Sequence, residues 1–467
     1  MFVTLLTIVS LASAIPNPAS QFCINCGYCC EIRTDPQGGQ FGVCVFPDGS
    51  ECEEWSFYRK CNSPQSCDGD CNCPWPCPKR IIYVDDDGPA DFNNIQAATD
   101  DTNDGDTIIV KKGIYFENIN FRGKNIILTS TDPKDPTVVA ATIIDGNNLD
   151  SVVTFAGTEN RTCVLSGFTV RNGYANYGAG ICGGTWEKQT HAEIRNNMIA
   201  ANTLWYGGAL DYCYGTIQNN VVSGTIILCD GGAIFDCQGI IQNNTILDNP
   251  IGLIGCNGII QNNTICDNVT AVAECGGIIQ NNIISGNSGY GLVYCNGIIQ
   301  NNTISGNAAG IYRGDEATIR NNIISANSPY GGLIYCYGLI QYNLISGWTE
   351  GGVGNIDSDP CFADPNGGDY HLKSQAGRWD ANEGQWTKDN VTSPCIDAGD
   401  MSSPIGLEPF PNGGIINMGS FGGTVEASKS YFGEPPCETI IAGDINGDCI
   451  VNLNDFAIMA FHWLEEH

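Results

Sequence analysis

The chain has 467 residues, of which 58 are glycine and only 15% are charged, a composition that favours a turn-rich β architecture over a helical one. Its 51 acidic and 20 basic side chains give a formal net charge of −31. This charge repels phosphate backbones and anionic lipid at long range, which argues against nucleic acid as a partner, and it attracts divalent cations such as Ca²⁺.

An apolar run opens the chain. Residues 1–14 end in Ala12-Ser13-Ala14, the small-x-small pattern that signal peptidase reads. The run is too short to span a membrane, and no later segment reaches 18 apolar residues. We therefore predict a signal peptide over residues 1–14, a mature chain without a membrane span, and a secreted or cell-surface location. The usual basic residue before the run is missing, which leaves a lipoprotein or an uncleaved anchor as alternatives.

Cysteines are concentrated near the N-terminus. Eleven of the 25 lie between Cys23 and Cys77, which predicts a disulfide-rich domain from an oxidising compartment. We place this domain and its linker at residues 16–80. Its core, EIRTD-GGQ-GVCVFPDGSECEEW, closely resembles a small domain found in proteins classed as haemolysins.

Residues 81–130 differ in pattern from the rest of the chain. The segment FNNIQAATD predicts a short helix, and DGDTIIVKKGIYFENI resembles the opening of many secreted polysaccharide-active β-helices. The segment therefore looks like the N-terminal cap of the pectate-lyase-like superfamily.

A phrase of the form C-x-G-x-I-Q-N-N-x-I-x-x-N then recurs eight times. Its Gln position falls at spacings of 19 to 24 residues, and is occupied by Arg195, Gln218, Gln242, Gln261, Gln280, Gln300, Arg320 and Gln341. Each unit holds three short strand-like pieces separated by Gly and Asn, which tolerate the backbone conformation of sharp bends. We predict an all-β chain whose residues 81–355 form a right-handed parallel β-helix with its N-terminal cap.

Stacked coils place equivalent residues on top of one another. Three columns are expected to face inward or to bond along the stack: the Ile column from Ile194 to Ile340, the second Asn of each pair from Asn197 to Asn343, and the Cys column Cys213, Cys237, Cys256, Cys275, Cys295 and Cys336. For the Cys column we prefer buried thiols, with bridges between adjacent coils as the alternative.

The column before each Cys should face outward, because side chains alternate along a strand. It contains Tyr212, Asp236, Gly255, Glu274, Tyr294, Gly314 and Tyr335. Aromatic rings and acids on one face suit sugar binding, so Tyr212, Asp236, Glu274, Tyr294, Tyr335 and Trp205 are the candidate substrate-binding residues. An ordinary exposed strand face is the equally weighted alternative. In one coil Arg313 and Asp315 fall on the expected inner face, which predicts a buried ion pair or a local bulge.

Catalytic candidates are sparse. Acids and bases concentrate around one irregular coil, which gives Asp211, Asp230, Asp236, Lys188 and His191 as weak candidates, with Trp186, Trp205 and Tyr206 as a groove wall. The chain lacks segments like those of pectate lyases, galacturonases or pectinesterases that carry catalysis, so polar residues around an insertion are the preferred interpretation. If the protein is an enzyme, a polysaccharide lyase or glycoside hydrolase is expected.

The repeat ends before residue 356. Residues 356–432 look like the closing cap of bacterial β-helix proteins, with Cys361 and Cys395 as a candidate disulfide. In residues 440–467 oxygen ligands recur at EF-hand offsets and predict Ca²⁺ binding, with an unliganded loop as the alternative: Asp444, Asn446, Asp448, Ile450, Asn452 and Asp455. The segment resembles one half of a type I dockerin, which implies a cohesin-like or cell-surface receptor.

Two functions are consistent with these observations. The first is recognition or cleavage of an extracellular polysaccharide by the long face of the solenoid. The second is a non-catalytic surface, adhesion or spacer protein that carries a calcium-dependent docking module. Because one fold hosts many activities, only the site can separate the two.

Overall fold

A computed structural model describes residues 17–26, 28–62 and 79–431, together with residues 445, 451, 453 and 455–458. The predicted signal peptide lies outside these residues. Two compact units are present: one comprises the chain up to Ile81 with Asp100–Thr107, the other Ile82–Thr99 and the chain from Ile108 onward. Among the helices of the described residues, none is both long enough and apolar enough to cross a membrane.

The N-terminal unit combines two helices with a three-stranded antiparallel sheet of order β1-β2-β3. Its elements are α1 Pro18–Asn25, β1 Cys29–Thr34, β2 Gln40–Val45, β3 Glu51–Glu53 and α2 Glu54–Asn62. Phe46 and Phe57 are buried in its core beside Cys23 and Cys44, and these two cysteines form a disulfide.

The cysteines of this unit are only partly bonded. Cys61 also belongs to a disulfide, whereas Cys26, Cys29 and Cys30 carry free thiols. Cys30 lies opposite Cys44 in the sheet, but Cys44 is already bonded to Cys23. The predicted disulfide-containing domain is therefore present, and among the described residues some of its cysteines remain free thiols.

The larger unit is a solenoid of three long parallel sheets. Sheet I has twelve strands: β4 Ile81–Val84, β5 Thr107–Val110, β8 Ile127–Ser130, β11 Val164–Ser166, β17 Glu193–Arg195, β20 Thr216–Gln218, β23 Ile240–Gln242, β26 Ile259–Gln261, β29 Ile278–Gln280, β32 Ile298–Gln300, β35 Thr318–Arg320 and β38 Leu339–Gln341. Sheet II has eleven: β6 Gly113–Phe116, β9 Thr142–Asp145, β12 Thr169–Arg171, β18 Met198–Ala200, β21 Val221–Ser223, β24 Thr245–Leu247, β27 Thr264–Cys266, β30 Ile283–Ser285, β33 Thr303–Ser305, β36 Ile323–Ser325 and β39 Leu344–Ile345. Sheet III also has eleven: β7 Ile119–Asn120, β10 Val153–Thr154, β13 Tyr174–Ala175, β14 Ile181–Cys182, β19 Thr203–Asp211, β22 Ile226–Phe235, β25 Ile251–Ile254, β28 Thr270–Ala273, β31 Tyr290–Val293, β34 Ala309–Tyr312 and β37 Gly331–Ile334. The predicted fold class is confirmed.

Shorter elements flank the sheets. They are α3 Ile95–Asp101, α4 Pro136–Ala141, the hairpin β15 Gly184–Thr185 and β16 Lys188–Gln189, and the C-terminal strands β40 Phe362–Asp364, β41 Asp369–Leu372, β42 Arg378–Asp380 and β43 Gln385–Thr387. Helix α3 confirms the helix predicted in FNNIQAATD. It begins there because the Glu117 carboxylate accepts hydrogen bonds from the backbone N–H groups of Ile95 and Gln96, both at 2.8 Å, which are otherwise unpaired in a first helical turn.

The Ile column fills the interior of the solenoid as predicted. Ile241, Ile260 and Ile279 are Cα partners in successive strands of sheet I, and each is at most 1% exposed. A narrow lumen lined by three sheets can be filled only by apolar side chains from every coil, so the column is continuous.

The predicted Asn column is a buried amide ladder. Asn244 Nδ2 donates to Asn263 Oδ1 at 3.0 Å, and Asn263 Nδ2 donates to Asn282 Oδ1 at 2.9 Å. The same Asn263 amide donates to the Ile241 carbonyl at 2.8 Å, and its oxygen accepts from the Asn244 backbone N–H at 2.9 Å. Each amide thus replaces the backbone hydrogen bonds that the corner cannot make.

A second amide ladder, which was not among the predicted columns, runs along the next corner. Its members bond to one another at 2.8–3.2 Å and are Asn249, Asn268, Asn287, Asn307 and Asn327. These residues are the last Asn of the repeat phrase, so the signal was present in the pattern.

The C-terminal segment packs against sheet II. Asn281 Nδ2 donates to the carbonyls of Ser420 and Gly422 at 3.0 and 2.8 Å, and Ile323 and Leu344 join an apolar cluster with this segment. Cys361 and Cys395 are both free, so the candidate disulfide is wrong.

Glu408 is a buried acid in this segment and sets a pH dependence. Its Oε1 accepts from the backbone N–H groups of Asn417 and Gly423, its Oε2 has no hydrogen-bond partner among the described residues, and burial raises its pKa to about 7. Because the folded-state pKa lies above the unfolded one, this carboxyl destabilises the fold increasingly as pH rises from about 4.5 to 7.

We therefore expect Glu408→Gln to raise the melting temperature relative to the parent protein at pH 8 and to change it little at pH 5. The gain in unfolding free energy at pH 8 should reach at most roughly 3 kcal/mol. Thermal unfolding followed by circular dichroism measures the melting temperatures of both proteins at both pH values. The other titratable groups are present in both proteins, so their pH dependence cancels in the difference. A variant that is less stable at pH 8 would contradict this assignment.

Candidate functional site

The outward column of sheet III turns out to occupy a corner of the coil. Its residues follow the strands with φ between +45° and +69° and are Tyr212, Asp236, Gly255, Glu274, Tyr294, Arg313 and Tyr335. They face outward as predicted, but for a different reason. The left-handed backbone conformation at the corner directs these side chains outward, whereas the prediction relied on the alternation of side chains along a strand.

One coil departs from the predicted register. Tyr312 lies between Val293 and Ile334 in the sheet, so Arg313, and not Gly314, shares the corner column with Tyr294. Gly314 takes the place of the buried Cys, where an added Cβ would lie 3.5 Å from Cys336 Sγ. The expected buried ion pair is wrong, because Arg313 and Asp315 are both exposed.

Arg313 is surrounded by aromatic rings. Its Cζ lies 5.8 Å from the ring centroid of Tyr294, 5.9 Å from that of Tyr312 and 5.7 Å from that of Tyr335. The Tyr312 ring also contacts the Tyr290 ring, with centroids 4.9 Å apart and ring planes inclined at 38°. We call these five residues the tyrosine–arginine cluster. At such distances the guanidinium is attracted to the ring faces, which holds an otherwise flexible side chain in place.

The cluster is open to solvent, and Asp315 interacts with the Arg313 charge at a longer range than an ion pair. Tyr294 is 47% and Tyr335 54% exposed. Within the part of the chain that the structure describes, no carboxylate lies within 4.0 Å of the Arg313 guanidinium. A fixed cation framed by rings can take an anion and a ring-shaped partner at the same time.

The Cys column lies behind this corner and faces inward, as expected. Cys213, Cys237, Cys256, Cys275 and Cys295 are fully buried and Cys336 is half-buried. All six are free. Burial raises the pKa of the Cys237 and Cys275 thiols well above the ordinary value, which makes them unreactive packing residues.

The other predicted sugar-binding residues lie elsewhere on the same sheet. Glu274 is exposed, and Asp236 and Tyr212 are half-buried at the corner. Trp205 is outside the cluster, in the extended first half of β19, where its Nε1 donates to the Tyr174 hydroxyl at 3.0 Å. The structure therefore brings Tyr294 and Tyr335 together and leaves Trp205 apart.

The acidic and basic catalytic candidates do not converge, whereas burial and the nearby charge of Asp236 both raise the pKa of Asp211. Asp211 is fully buried and burial raises its pKa to about 7, whereas Asp230 is exposed on β22. Lys188 is exposed on the hairpin β15–β16, and the exposed His191 makes an edge contact with the Tyr214 ring. Among the described residues, the hydrogen bonds and ion pairs of Asp211 include neither Lys188 nor His191.

Only one predicted Ca²⁺ ligand is described. Asp455 is 2% exposed, and its Oδ1 accepts a hydrogen bond from the Ile445 backbone N–H at 2.7 Å. The remaining predicted ligands lie outside the described residues: Asp444, Asn446, Asp448, Ile450 and Asn452. The backbone N–H of position 2 and the side chain of position 12 of the predicted loop are thus joined by a hydrogen bond.

Comparison with known families gives three matches, each to part of the chain. The family described as right handed beta helix region matches residues 209–347, the domain of unknown function DUF333 matches residues 14–61, and the family described as disaggregatase related matches residues 342–399. The solenoid is therefore a right-handed parallel β-helix, and the N-terminal unit carries a DUF333 domain.

Individual proteins are similar over varying lengths. An uncharacterized protein of Archaeoglobus fulgidus is 40% identical over 58 residues, which cover 12% of this chain and 27% of that protein, so the chain spans about a quarter of this relative. Pectate lyase Pel9A is 15% identical with a TM-score of 0.46, covering 74% of this chain and 96% of that one. XylC in complex with xylose is 12% identical with a TM-score of 0.38, covering 61% and 87%.

Proposed function

We propose that this protein binds an acidic polysaccharide outside the cell, and that the tyrosine–arginine cluster on sheet III anchors it. The observation that carries the proposal is the position of Arg313, an exposed guanidinium within 6 Å of three tyrosine rings and without an acidic partner within 4.0 Å among the described residues.

The chemistry of the cluster matches a uronate unit. Tyrosine rings offer flat apolar faces for a pyranose ring and hydroxyls for its oxygens. The planar guanidinium can bind a carboxylate with two parallel hydrogen bonds, which a flexible ammonium cannot do. The corner column continues the surface along the solenoid through Glu274 and Asp236, which can accept hydrogen bonds from sugar hydroxyls.

The net charge of −31 opposes a polyanion at long range. The Debye length is about 8 Å at physiological ionic strength. Salt therefore screens the repulsion from distant carboxylates strongly and weakens the short-range ion pair between Arg313 and a uronate less. We therefore expect affinity to rise between very low and physiological salt, opposite to the usual behaviour of a basic polyanion-binding surface.

Affinity electrophoresis tests the proposal. In native gels that contain polygalacturonate the protein should be retarded, and in gels with the same mass of neutral galactan it should migrate almost as in an empty gel. Equal migration in all three gels, or equal retardation by both polymers, would contradict the proposal.

Recognition is favoured over cleavage. Asp211 is buried, and neither Lys188 nor His191 is among its hydrogen-bond partners in the described residues, so these candidates do not form an acid–base pair. Incubation with polygalacturonate and Ca²⁺ should therefore give no rise in absorbance at 235 nm, where a lyase would produce unsaturated ends, and no new reducing ends.

A second function is calcium-dependent docking by the C-terminal segment, to a cohesin-like or cell-surface receptor. The contact between Ile445 and Asp455 favours a loop closed for a cation, and the predicted ligands Asp444, Asn446 and Asp448 would supply the oxygens that Ca²⁺ prefers.

We expect Asp455→Ala to weaken the tightest Ca²⁺-binding event by more than roughly tenfold, measured by isothermal titration calorimetry. Asp230→Ala is the matched control, because it removes one exposed carboxylate from a strand of the solenoid. If the two variants lose Ca²⁺ affinity equally, the metal binds through the overall negative charge and the loop assignment fails.

A further inference from the structure

Three successive coils of sheet III are longer than the rest and project together. The added segments, residues 173–178, 203–207 and 226–231, form what we call the flap. Its strands pair in parallel, Tyr174 with Thr203 and Thr203 with Ile226. Glycines at positive φ, including Gly178 and Gly207, allow the close approach of chains that this projection needs.

The first segment of the flap and the hairpin β15–β16 border an open aromatic pocket of about 540 Å³. Its lining includes the aromatic side chains of Tyr177, Trp186 and Tyr212 and the polar side chains of Asp150, Ser151 and Asn176. Thr154 and Cys182 are Cα partners on the outer face of sheet III, and Trp186 is 74% exposed at the hairpin tip. Three aromatic side chains thus surround a floor of small polar groups.

The pocket differs in charge from the tyrosine–arginine cluster. Asp150 is the one charged side chain among its lining residues, so the pocket offers no cation to pair with an acidic sugar. Aromatic rings with amide, hydroxyl and carboxylate groups are typical of sites for uncharged sugar rings, whose hydroxyls donate to carboxylates.

Asp211 continues the floor of the pocket beneath the flap. It is the Cα partner of Cys182, and Tyr177 and Gly207 cover it so closely that a Cβ on Gly207 would clash with both Asp211 and Tyr177. Its Oδ2 accepts from the Gly208 N–H at 3.4 Å, and its buried Oδ1 has no hydrogen-bond partner among the described residues. An unpaired buried carboxyl oxygen is costly, so Asp211 is a polar group beside the pocket that fold stability alone does not favour.

We propose that the aromatic pocket binds an uncharged pyranose unit, and that the natural ligand is a heteropolysaccharide whose neutral units occupy this pocket while an acidic unit binds at Arg313. The second half of the proposal rests on the proposed function. Strand β14 at the pocket and strand β34 at the cluster are six strand spacings apart in sheet III, or roughly 29 Å. The ligand must therefore be an extended chain of several units.

The half-buried thiol of Cys182 in the pocket floor provides a local readout. Because burial raises its pKa to about 11, alkylation is followed at alkaline pH over a long time course. We would alkylate the full-length protein in the presence of 100 mM methyl glucoside, methyl galactoside, methyl xyloside or galacturonate, and follow each cysteine by peptide mass spectrometry. At least one neutral glycoside should slow alkylation of Cys182 several-fold, galacturonate should not, and the half-buried Cys266 on sheet II should react at an unchanged rate. If no neutral glycoside protects Cys182, or galacturonate protects it equally, the pocket assignment is wrong.

Two variants separate the two sites. Trp186→Ala, at a hairpin position that is 74% exposed, should abolish the protection of Cys182 while leaving retardation by polygalacturonate within about twofold. Arg313→Asn should do the reverse. If either variant loses both readouts, the two subsites are not separate. If the parent protein shows protection of Cys182 but no retardation by polygalacturonate, the proposed function is wrong and the pocket assignment still holds.

Discussion

Arg313→Asn is expected to weaken binding of polygalacturonate by roughly 10- to 100-fold. A charge-assisted hydrogen-bonded pair contributes about 1.5–3 kcal/mol, and each 1.4 kcal/mol is a factor of about ten in affinity. Asparagine is the right replacement because Arg313 has φ +56°, a backbone conformation that asparagine tolerates better than alanine. The variant should therefore fold normally and lose only the guanidinium. Retardation in polygalacturonate gels, converted to an apparent Kd, measures the effect.

Arg122→Asn is the matched control. Arg122 is also an exposed arginine in the left-handed region, with φ +52°, but it lies near the first coils. Its replacement changes the net charge by the same amount, so it should leave the apparent Kd within about twofold. Arg313→Lys should fall between, because it keeps the charge and loses the planar donor pair. Equal weakening by the Arg122 and Arg313 variants would mean that total charge governs binding.

Asn263→Ala should cause the largest loss of stability, roughly 3–5 kcal/mol of unfolding free energy. Asn263 is 1% exposed, and its amide joins the coils before and after it. Truncation leaves the Asn244 N–H and the Ile241 carbonyl without this partner, and each buried unpaired group costs about 1–3 kcal/mol. Because coils are stabilised by their neighbours, the loss should lower the midpoint of denaturant unfolding for the array.

The adjacent Asn262 supplies the control. It is exposed, and its φ of +55° is accessible to glycine. Asn262→Gly should therefore shift the guanidinium midpoint by far less than Asn263→Ala. Comparable shifts in both variants would show that the corner backbone, and not the amide ladder, stabilises the stack.

The sequence predicted the columns because a solenoid converts a period along the chain into contacts between coils. The Ile column, the Asn263 ladder and the inward Cys column follow from the spacing alone. The ladder through Asn268 and Asn287 has the same periodic signal, because the last Asn of the repeat phrase recurs as regularly as the Asn pair, although it was not among the predicted columns.

The register around Arg313 could not be predicted in the same way. Counting back from the repeated Gln position placed Gly314 in the corner column, whereas the structure places the extra residue of that coil in the turn at Asp315 and Glu316. The number of residues in a coil shows that one residue has been added. It does not show whether that residue comes before or after the strand. The contact of Arg313 with Tyr294 and Tyr335 therefore became visible only with the strand pairing.

The flap was also beyond prediction from the sequence. The spacing indicates an insertion in the irregular coil, yet the pairing of three insertions into one projection depends on contacts between coils. That projection covers Asp211 and leaves Asp230 exposed, a difference that the sequence pattern does not show.

Tyrosine nitration most directly tests whether the tyrosine–arginine cluster contacts an acidic polysaccharide. Tyr294 and Tyr335 are exposed enough to react with tetranitromethane, as is Tyr83 on β4, which is 44% exposed and lies outside the cluster. With galacturonan oligomers present, nitration of Tyr294 and Tyr335 should fall several-fold while that of Tyr83 stays constant. Unchanged nitration of Tyr294 and Tyr335 under conditions where the oligomer binds would place the ligand elsewhere and contradict the account.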